Sequence, residues 1–237
     1  MKISNSNFLS MRPRPHNMPF FTAKTAILES VRTESRRFHG TVLDVGCGTM
    51  PYRSLIEDVE AVDRYIGMDL FVSEIYGDIV PDIRWDGDRI PLTDGEVDCV
   101  MATEFLEHHS EPEKILAEIR RVMKDGGEFF ATVPFVWNLH EIPSDEYRYT
   151  PYSMRRLLES AGFARVEIKA LGGWNLSLAQ MIGLWVTFSK LGKMSRKILS
   201  WALFPVFLLL VKTDKKPAEF DGYENSMFTG LSITAFK

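Results

Sequence analysis

Cysteine is nearly absent: of 237 residues, only Cys47 and Cys99 carry a thiol. Two thiols cannot build a disulfide framework or a four-cysteine zinc site, so a reducing compartment is expected. The apolar run over residues 198–211 is fourteen residues long, short of the roughly twenty that a membrane-crossing helix needs, and is interrupted by Pro205. The polar stretch 1–15 lacks the apolar segment of a secretory leader, so a cytoplasmic location is expected. Neither glycine (16) nor proline (12) is in excess, and 45% of the residues are hydrophobic against 25% charged. That balance excludes global disorder, collagen-like repeats and a coiled coil. A chain of this length can bury a sizeable core, and one large α/β domain is expected.

The net charge of −4 hides an uneven distribution. Residues 1–40 carry +5, 41–164 carry −14, 165–216 carry +7 and 217–237 carry −2. An acidic middle argues against nucleic acid as a partner, because phosphate contacts dominate that kind of affinity. The basic flanks suit an anionic surface instead.

Between residues 41 and 171 short β-rich runs alternate with helical patterns. Strands are expected over 41–45, 65–70, 82–85 (weak), 97–102, 128–133 and 165–171, with a last one over 230–236. An amphipathic helical segment over 23–38 precedes the first. Ser110 and Glu113 have capping-box spacing and Pro112 lies in the first turn of a helix. Its apolar stripe is Ile115, Leu116, Ile119, Val122 and Met123, closed by Gly126-Gly127. Thr150, Pro151 and Gly162 frame another helix as N-cap, first residue and C′ glycine. Such alternation implies a doubly wound, mostly parallel sheet. Ligands of such sheets lie at the carboxyl ends of the strands.

The loop after the first strand reads Asp44-Val-Gly46-Cys47-Gly48-Thr-Met-Pro51. Gly46 and Gly48 let the backbone turn tightly and lie close to a ligand. Asp69, at the end of the second strand, is placed to take both hydroxyls of a ribose. A dinucleotide fold wants a third glycine where Pro51 stands. A carboxylate at Asp44 repels phosphate but suits a ligand bearing an ammonium and a sulfonium. The loop therefore favours S-adenosylmethionine over a nicotinamide cofactor.

The ordered set VLDVGCGTMPY, IGMDL, WDGDRIPLTDGEVDCVMATEFLEHH and LAEIRRVMKDGGEFFATVPF resembles class I S-adenosylmethionine-dependent methyltransferases over about residues 40–170. The similarity is to the small-molecule branch that includes quinone-biosynthesis and polysaccharide-associated enzymes. It implies a seven-stranded Rossmann-like sheet. It implies also that Asp44, Gly46 and Gly48, with Cys47 beside them, line the methionine part of the cofactor. Asp69 would hold the ribose, Asp86 and Gly87 the adenine edge, and Thr103 and Glu104 the space below the sulfonium, with Leu70 a further cofactor-binding residue.

A hydroxyl acceptor needs a group to take its proton. If residues 104–109 turn helically, Glu104 and His108 share a face. Residues 137–150 carry His140, Pro143, Asp145, Arg148, Tyr149 and Thr150 in a pattern similar to polysaccharide-associated methyltransferases. His140 is the first choice for a base, with His108 and Glu104 as further catalytic candidates. Asp145, Arg148 and Tyr149 are candidates for binding the acceptor, or else Asp145 and Arg148 order the loop by pairing internally. A metal set of Glu107, His108 and His140 is conceivable, but no tight ligand spacing supports it, and no metal is expected.

About sixty residues intervene before the last strand, where simple members of the family have a hairpin. They hold two apolar stretches, 174–191 and 198–211, linked by Lys190, Lys193, Arg196 and Lys197. A membrane-contacting pair, a lid over the acceptor pocket and a homodimer face are the three alternatives for 174–216. The organisation expected is a leading segment (1–40), a cofactor-binding core (41–171), a helical insertion (172–216) and a closing strand segment (217–237). The function expected is O-methylation of a hydroxyl on a small or lipid-linked glycan precursor, with peripheral contact to the inner face of the cell membrane. Methylation of a quinone or other lipid is the alternative, and a non-catalytic binding protein of the same fold is another.

Overall fold

A computed structural model describes residues 9–70 and 79–237. A helix, α1 (Met18–Glu34), and a short 3-10 turn, Ser35–Arg37, lead into strand β1 (Gly40–Val45). There follow α2 (Arg53–Glu57), β2 (Val62–Asp69), β3 (Ile83–Arg84) and β4 (Val97–Thr103). A second 3-10 turn, Leu106–His108, precedes α3 (Pro112–Val122), β5 (Met123–Pro134), α4 (Pro151–Ser160) and β6 (Ala164–Leu171). Two helices, α5 (Trp174–Phe188) and α6 (Lys193–Thr213), then separate β6 from the last strand, β7 (Gly230–Phe236).

The seven strands form one sheet in the order β3-β2-β1-β4-β5-β7-β6. All pairs are parallel except those of β7, which runs antiparallel to both β5 and β6. Alternate side chains divide the strands between two faces. Leu43, Ile66, Val100 and Phe129 pack with Ile115, Leu116 and Ile119 of α3 and with Met154 and Leu158 of α4. Val42, Tyr65, Cys99, Met101 and Phe130 face the opposite layer, made by Ala26, Ile27 and Val31 of α1 and Ile56 of α2. The doubly wound sheet expected from the sequence is therefore present.

Several local expectations need correction. Helix α1 starts at Met18 rather than near residue 23, with Pro19 in its first turn. The N-cap of α3 is Glu111, without a side-chain cap. Pro112 pushes the preceding residue to extended backbone, so the helix cannot begin at Ser110 and no Ser110–Glu113 capping box forms. At its other end α3 stops at Val122, before Gly126-Gly127. The carbonyls of Arg121 and Val122 accept from the N–H groups of Gly95 and Glu96 (3.0 and 2.8 Å), and Met123 pairs with Val97. Sheet pairing thus takes the chain out of the helix early, and the glycine pair lies within β5. The Thr150 cap is as expected, reciprocated by Ser153, and Gly162 follows α4 at φ 87°.

The insertion is two helices packed on each other and on α1, with Met18, Ala179, Val186 and Phe207 as their small core. Helix α6 is longer than its apolar run and continues through Pro205. Among the described residues it is one helix long and apolar enough to cross a membrane by length and composition.

Candidate active site

The carboxyl ends of β1, β2, β4 and β5 bring the predicted residues to one edge of the sheet. At the end of β1 the chain turns through Gly46 at φ 71°. A Cβ on Gly46 would stand 2.5 Å from Cδ2 of Phe105, whereas one on Gly48 (φ 53°) would meet open space. The N–H of Gly48 donates to Asp69 Oδ2 at 2.7 Å, and that of Leu70 to Asp69 Oδ1 at 2.7 Å. This buried carboxylate joins the tips of β1 and β2.

Asp44 is 1% exposed. The Tyr65 hydroxyl donates to its Oδ2, and its Oδ1 accepts no hydrogen bond among the described residues. Burial pushes the Asp44 carboxyl up to about 7, with the Asp69 charge adding to the rise and the Tyr65 bond and Arg53 opposing it. A buried acid with an unanswered oxygen facing an open glycine turn fits the positive end of an amino-acid-like ligand. Cys47 is buried, and burial, followed by the charges of Asp44 and Asp69, raises its thiol pKa. Burial likewise pushes Cys99 up to about 11, so both thiols are packing groups, not nucleophiles.

Asp86 is exposed, and its Oδ1 accepts from the N–H of Asp88 at 3.1 Å. Next to it, a methyl on Gly87 would lie 3.5 Å from Leu70, whose side chain is itself exposed. His109, read in the sequence only as part of a His pair, contacts the Gly87 carbonyl through Nε2 (3.1 Å) and stacks obliquely on Phe105. It ties the β4 loop to the loop carrying Asp86. Thr103 ends β4 and pairs with Thr132.

Glu104 follows at φ 50°, outside any helix, and does not share a helical face with His108. Its Oε1 accepts from the Thr132 hydroxyl at 2.9 Å. It keeps some contact with solvent but lies deep at the strand ends, where burial pushes its carboxyl up to about 7. The acid beside the histidines is instead Glu107. It is fully buried, and among the described residues neither oxygen accepts a hydrogen bond from another residue. Burial first, and then the charge of Glu104, holds it well above the usual carboxylate range.

The 137–150 loop folds back onto the 3-10 turn. The Glu107 carbonyl accepts from the N–H groups of Glu146 and Tyr147 (2.9 and 3.2 Å). Asp145, with its side chain 1% exposed, is held bidentately by Arg148 (2.6 and 2.8 Å). It also takes the backbone N–H and the ring Nδ1 of His140 at 3.1 Å each. The Arg148 bonds in particular keep this carboxyl well below its ordinary pKa. Asp145 and Arg148 therefore answer each other, and what they present outward is an oriented His140. Tyr149 is 6% exposed and donates to the Leu106 carbonyl at 3.1 Å, so it braces the loop and does not face an acceptor.

His108 stands edge-on to His140, with ring centroids 4.7 Å apart. Its Nδ1 contacts the Ser144 carbonyl at 3.0 Å. A carbonyl only accepts, so Nδ1 carries the proton, and the ionised Asp145 imposes the same on His140. In its neutral form each ring is thereby left with a lone pair on Nε2. Burial raises the pKa of a further group, Tyr52, and the charges of Glu104 and Asp44 add to the rise.

A methyltransferase domain model matches residues 43–131. Over that stretch the chain is similar to class I S-adenosylmethionine-dependent methyltransferases. The open Gly48, the Asp44 oxygen left without a partner among the described residues and the Asp69 carboxylate fit S-adenosylmethionine, the cofactor of those enzymes. A demethylmenaquinone methyltransferase of Renibacterium salmoninarum is 37% identical over 91 residues, 37% of this chain and 38% of that one. A ubiquinone/menaquinone C-methyltransferase of Hahella chejuensis is 24% identical over 43% of this chain and 49% of its own. The chain spans about a third to a half of the length of the curated relatives it matches. Among solved structures, an S-adenosylmethionine-dependent methyltransferase of Archaeoglobus fulgidus superposes with a TM-score of 0.57 at 16% identity, covering 91% of this chain and 94% of the other. A [4+2]-cyclase superposes at 0.58 and 20% identity over 91% and 82%. Likeness at that identity shows the fold alone.

Proposed function

We propose that this methyltransferase transfers a methyl group to a hydroxyl oxygen on the polar end of a lipid-linked acceptor, a glycan precursor in the first instance. The reading is carried by His140, oriented by Asp145 at 3.1 Å and set against His108 at the strand ends. When bound, S-adenosylmethionine supplies an activated methyl group. Asp44 is assigned to its ammonium, Asp69 to its ribose, Leu70 and Gly87 with Asp86 to its adenine edge, and Thr103 with Glu104 to the floor below. Most of the rate then comes from holding the acceptor aligned. A hydroxyl must also lose its proton, and the Glu107, His108 and His140 group lies where that proton can be taken up.

The direct test supplies methyl-labelled S-adenosylmethionine with separated lipid-linked glycan, soluble sugar and quinone fractions. Label recovered as a methyl ether on the glycan, lost on His140→Ala, is the expected result. Label on a quinone ring carbon supports the second reading, which the curated relatives favour. No label in any fraction, with S-adenosylhomocysteine still bound, supports a binding protein of this fold.

The lipid part of the proposal rests on the insertion. Trp174, Leu178, Met181, Trp185 and Phe188 make one half-exposed apolar stripe along α5. Helix α6 exposes Met194, Ile198, Trp201 and Leu209. Lys190 lies just after α5, and Lys193, Arg196 and Lys197 lie in the first turns of α6. Apolar stripes beside a basic link suit an anionic membrane surface, where each cation contributes about 1 kcal/mol. Changing all four to Ser is therefore expected to reduce partition onto phosphatidylglycerol vesicles at least tenfold, measured by sedimentation. Unchanged partition would remove the electrostatic part, and concentration-dependent dimerisation without vesicle binding would assign the stripes to a second copy.

Asp44 predicts a pH dependence. Its folded pKa of about 7 lies above the unfolded value. Its contribution to the stability of the ligand-free protein is thus full at low pH and lost as pH rises through 7. An ammonium-bearing ligand favours the ionised form, so S-adenosylhomocysteine affinity should rise with pH, by up to about tenfold per unit below 7. Calorimetry at several pH values in buffers of different ionisation enthalpy should show a proton released on binding below pH 7.

A further inference from the structure

We propose that Glu107, His108 and His140 form a binding site for a borderline divalent metal ion of the zinc, manganese or iron type. The three come from two separate segments, the 3-10 turn after β4 and the loop after β5, and neither segment alone has metal-ligand spacing. The fold places one ligand atom of each within 4.8 Å of the other two. His108 Nε2 is 3.7 Å from Glu107 Oε1, too long for a hydrogen bond. A tetrahedral ion with bonds of about 2.1 Å holds its ligand atoms about 3.4 Å apart. The group therefore needs side-chain movements of about 1 Å and no change of backbone.

Three observations favour an ion over a plain cluster of polar side chains. Glu107 is 0% exposed, and among the described residues neither of its oxygens accepts a hydrogen bond from another residue, although Arg148 is near. That guanidinium is already committed to Asp145. A buried carboxylate left so is costly unless something positive answers it. Each histidine, moreover, has the outer support typical of a metal ligand. His108 is anchored through Nδ1 on a backbone carbonyl, and His140 through Nδ1 on a carboxylate. Such anchoring fixes the tautomer and leaves Nε2 to coordinate. Finally, Glu141, on the open side, reaches to 3.8 Å from His108 Nε2 and can add an oxygen from solvent. Two imidazoles and one carboxylate suit zinc, iron or manganese, and three protein ligands leave positions open.

The site itself stands on these contacts. Its use rests on the hydroxyl acceptor proposed above: an open position would bind the acceptor oxygen and acidify its O–H, the proton passing to solvent as the oxygen takes the methyl group and S-adenosylhomocysteine leaves. His140 then acts as a ligand, and the ion does what a base would do.

Cobalt(II) chloride titrated into the full chain tests this, because bound cobalt absorbs visibly and zinc chloride displaces it. The expected result is one cobalt per chain, released by zinc. Glu107→Gln and His140→Ala should each weaken binding at least about tenfold. His108→Ala is a third variant should either of these fail to fold. Binding of S-adenosylhomocysteine, measured on the same samples, reports the folded cofactor site independently. Wild type that binds S-adenosylhomocysteine but no stoichiometric cobalt overturns the proposal, as does cobalt binding that the variants leave unchanged. Cobalt binding without methylation of any hydroxyl keeps the site and removes the acceptor role.

Discussion

Gly46→Ala is expected to reduce S-adenosylhomocysteine affinity at least a hundredfold and to lower stability as well. The position has φ 71°, in the left-handed region, which costs a residue with a Cβ about 1–2 kcal/mol. The new Cβ would also lie 2.5 Å from Phe105 Cδ2. Phe105 is held by Trp85 and by His109, whose Nε2 contacts the Gly87 carbonyl and whose Nδ1 accepts from the Glu111 N–H. The ring cannot step aside without moving the Asp86–Gly87 loop or the start of the Leu106–His108 turn. Overpacking of that kind adds about 1–3 kcal/mol. Gly48→Ala serves as the control: its φ of 53° carries the same conformational cost, but its Cβ meets nothing within 4 Å. Calorimetric titration and thermal unfolding of both variants separate the two causes. Equal losses in both would mean that backbone conformation alone matters; a much larger loss at Gly46 locates the effect in the Phe105 contact.

How much of this was legible in the sequence depends on the distance over which the deciding interaction acts. The seven strands were readable because each is a short apolar run between turn residues, and β7 was read with its final boundaries. The Thr150 cap was readable because its partner is three residues away. The end of α3 was not, because the groups that take its last carbonyls sit on Gly95 and Glu96, far back in the chain. The partner of Asp44 was missed for a similar reason. Val42 lies opposite Tyr65 in the parallel ladder, and the tyrosine reaches the next inward residue of β1. Alternation along two strands contains that signal once the register is known. Among the site residues, the His140–Asp145–Arg148 set was visible as a short pattern. Glu107 was harder, since an acid in Glu104-Phe-Leu-Glu107-His108-His109 reads as solvated. Its burial comes from the 137–150 loop folding over it, a contact no local pattern announces.

Asp145→Asn is expected to lower kcat about 10- to 100-fold while leaving S-adenosylhomocysteine affinity unchanged. Asp145 sits on the loop after β5, whereas Asp44, Gly48 and Asp69 sit at the ends of β1 and β2, so cofactor affinity should not sense the change. Asparagine keeps the shape but not the charge, and its single carbonyl oxygen must serve both Arg148 and the His140 ring. Arg148, 23% exposed, would lose a bidentate partner whose side chain is 1% exposed. We expect a stability loss of about 2 kcal/mol, below the range for a fully buried pair, because the guanidinium retains some water. The larger consequence is for His140. With an ionised carboxylate on Nδ1 the ring has one tautomer, and with an amide it has two, since the amide can also donate. The Nε2 lone pair then exists for only part of the time, whether it takes a proton or binds an ion. Cobalt affinity and kcat should therefore fall together in this variant. If kcat falls while S-adenosylhomocysteine affinity falls equally, the loop's role is to support the whole fold. If neither falls, His140 needs no orientation and the reading of this pair as the centre of the site is wrong.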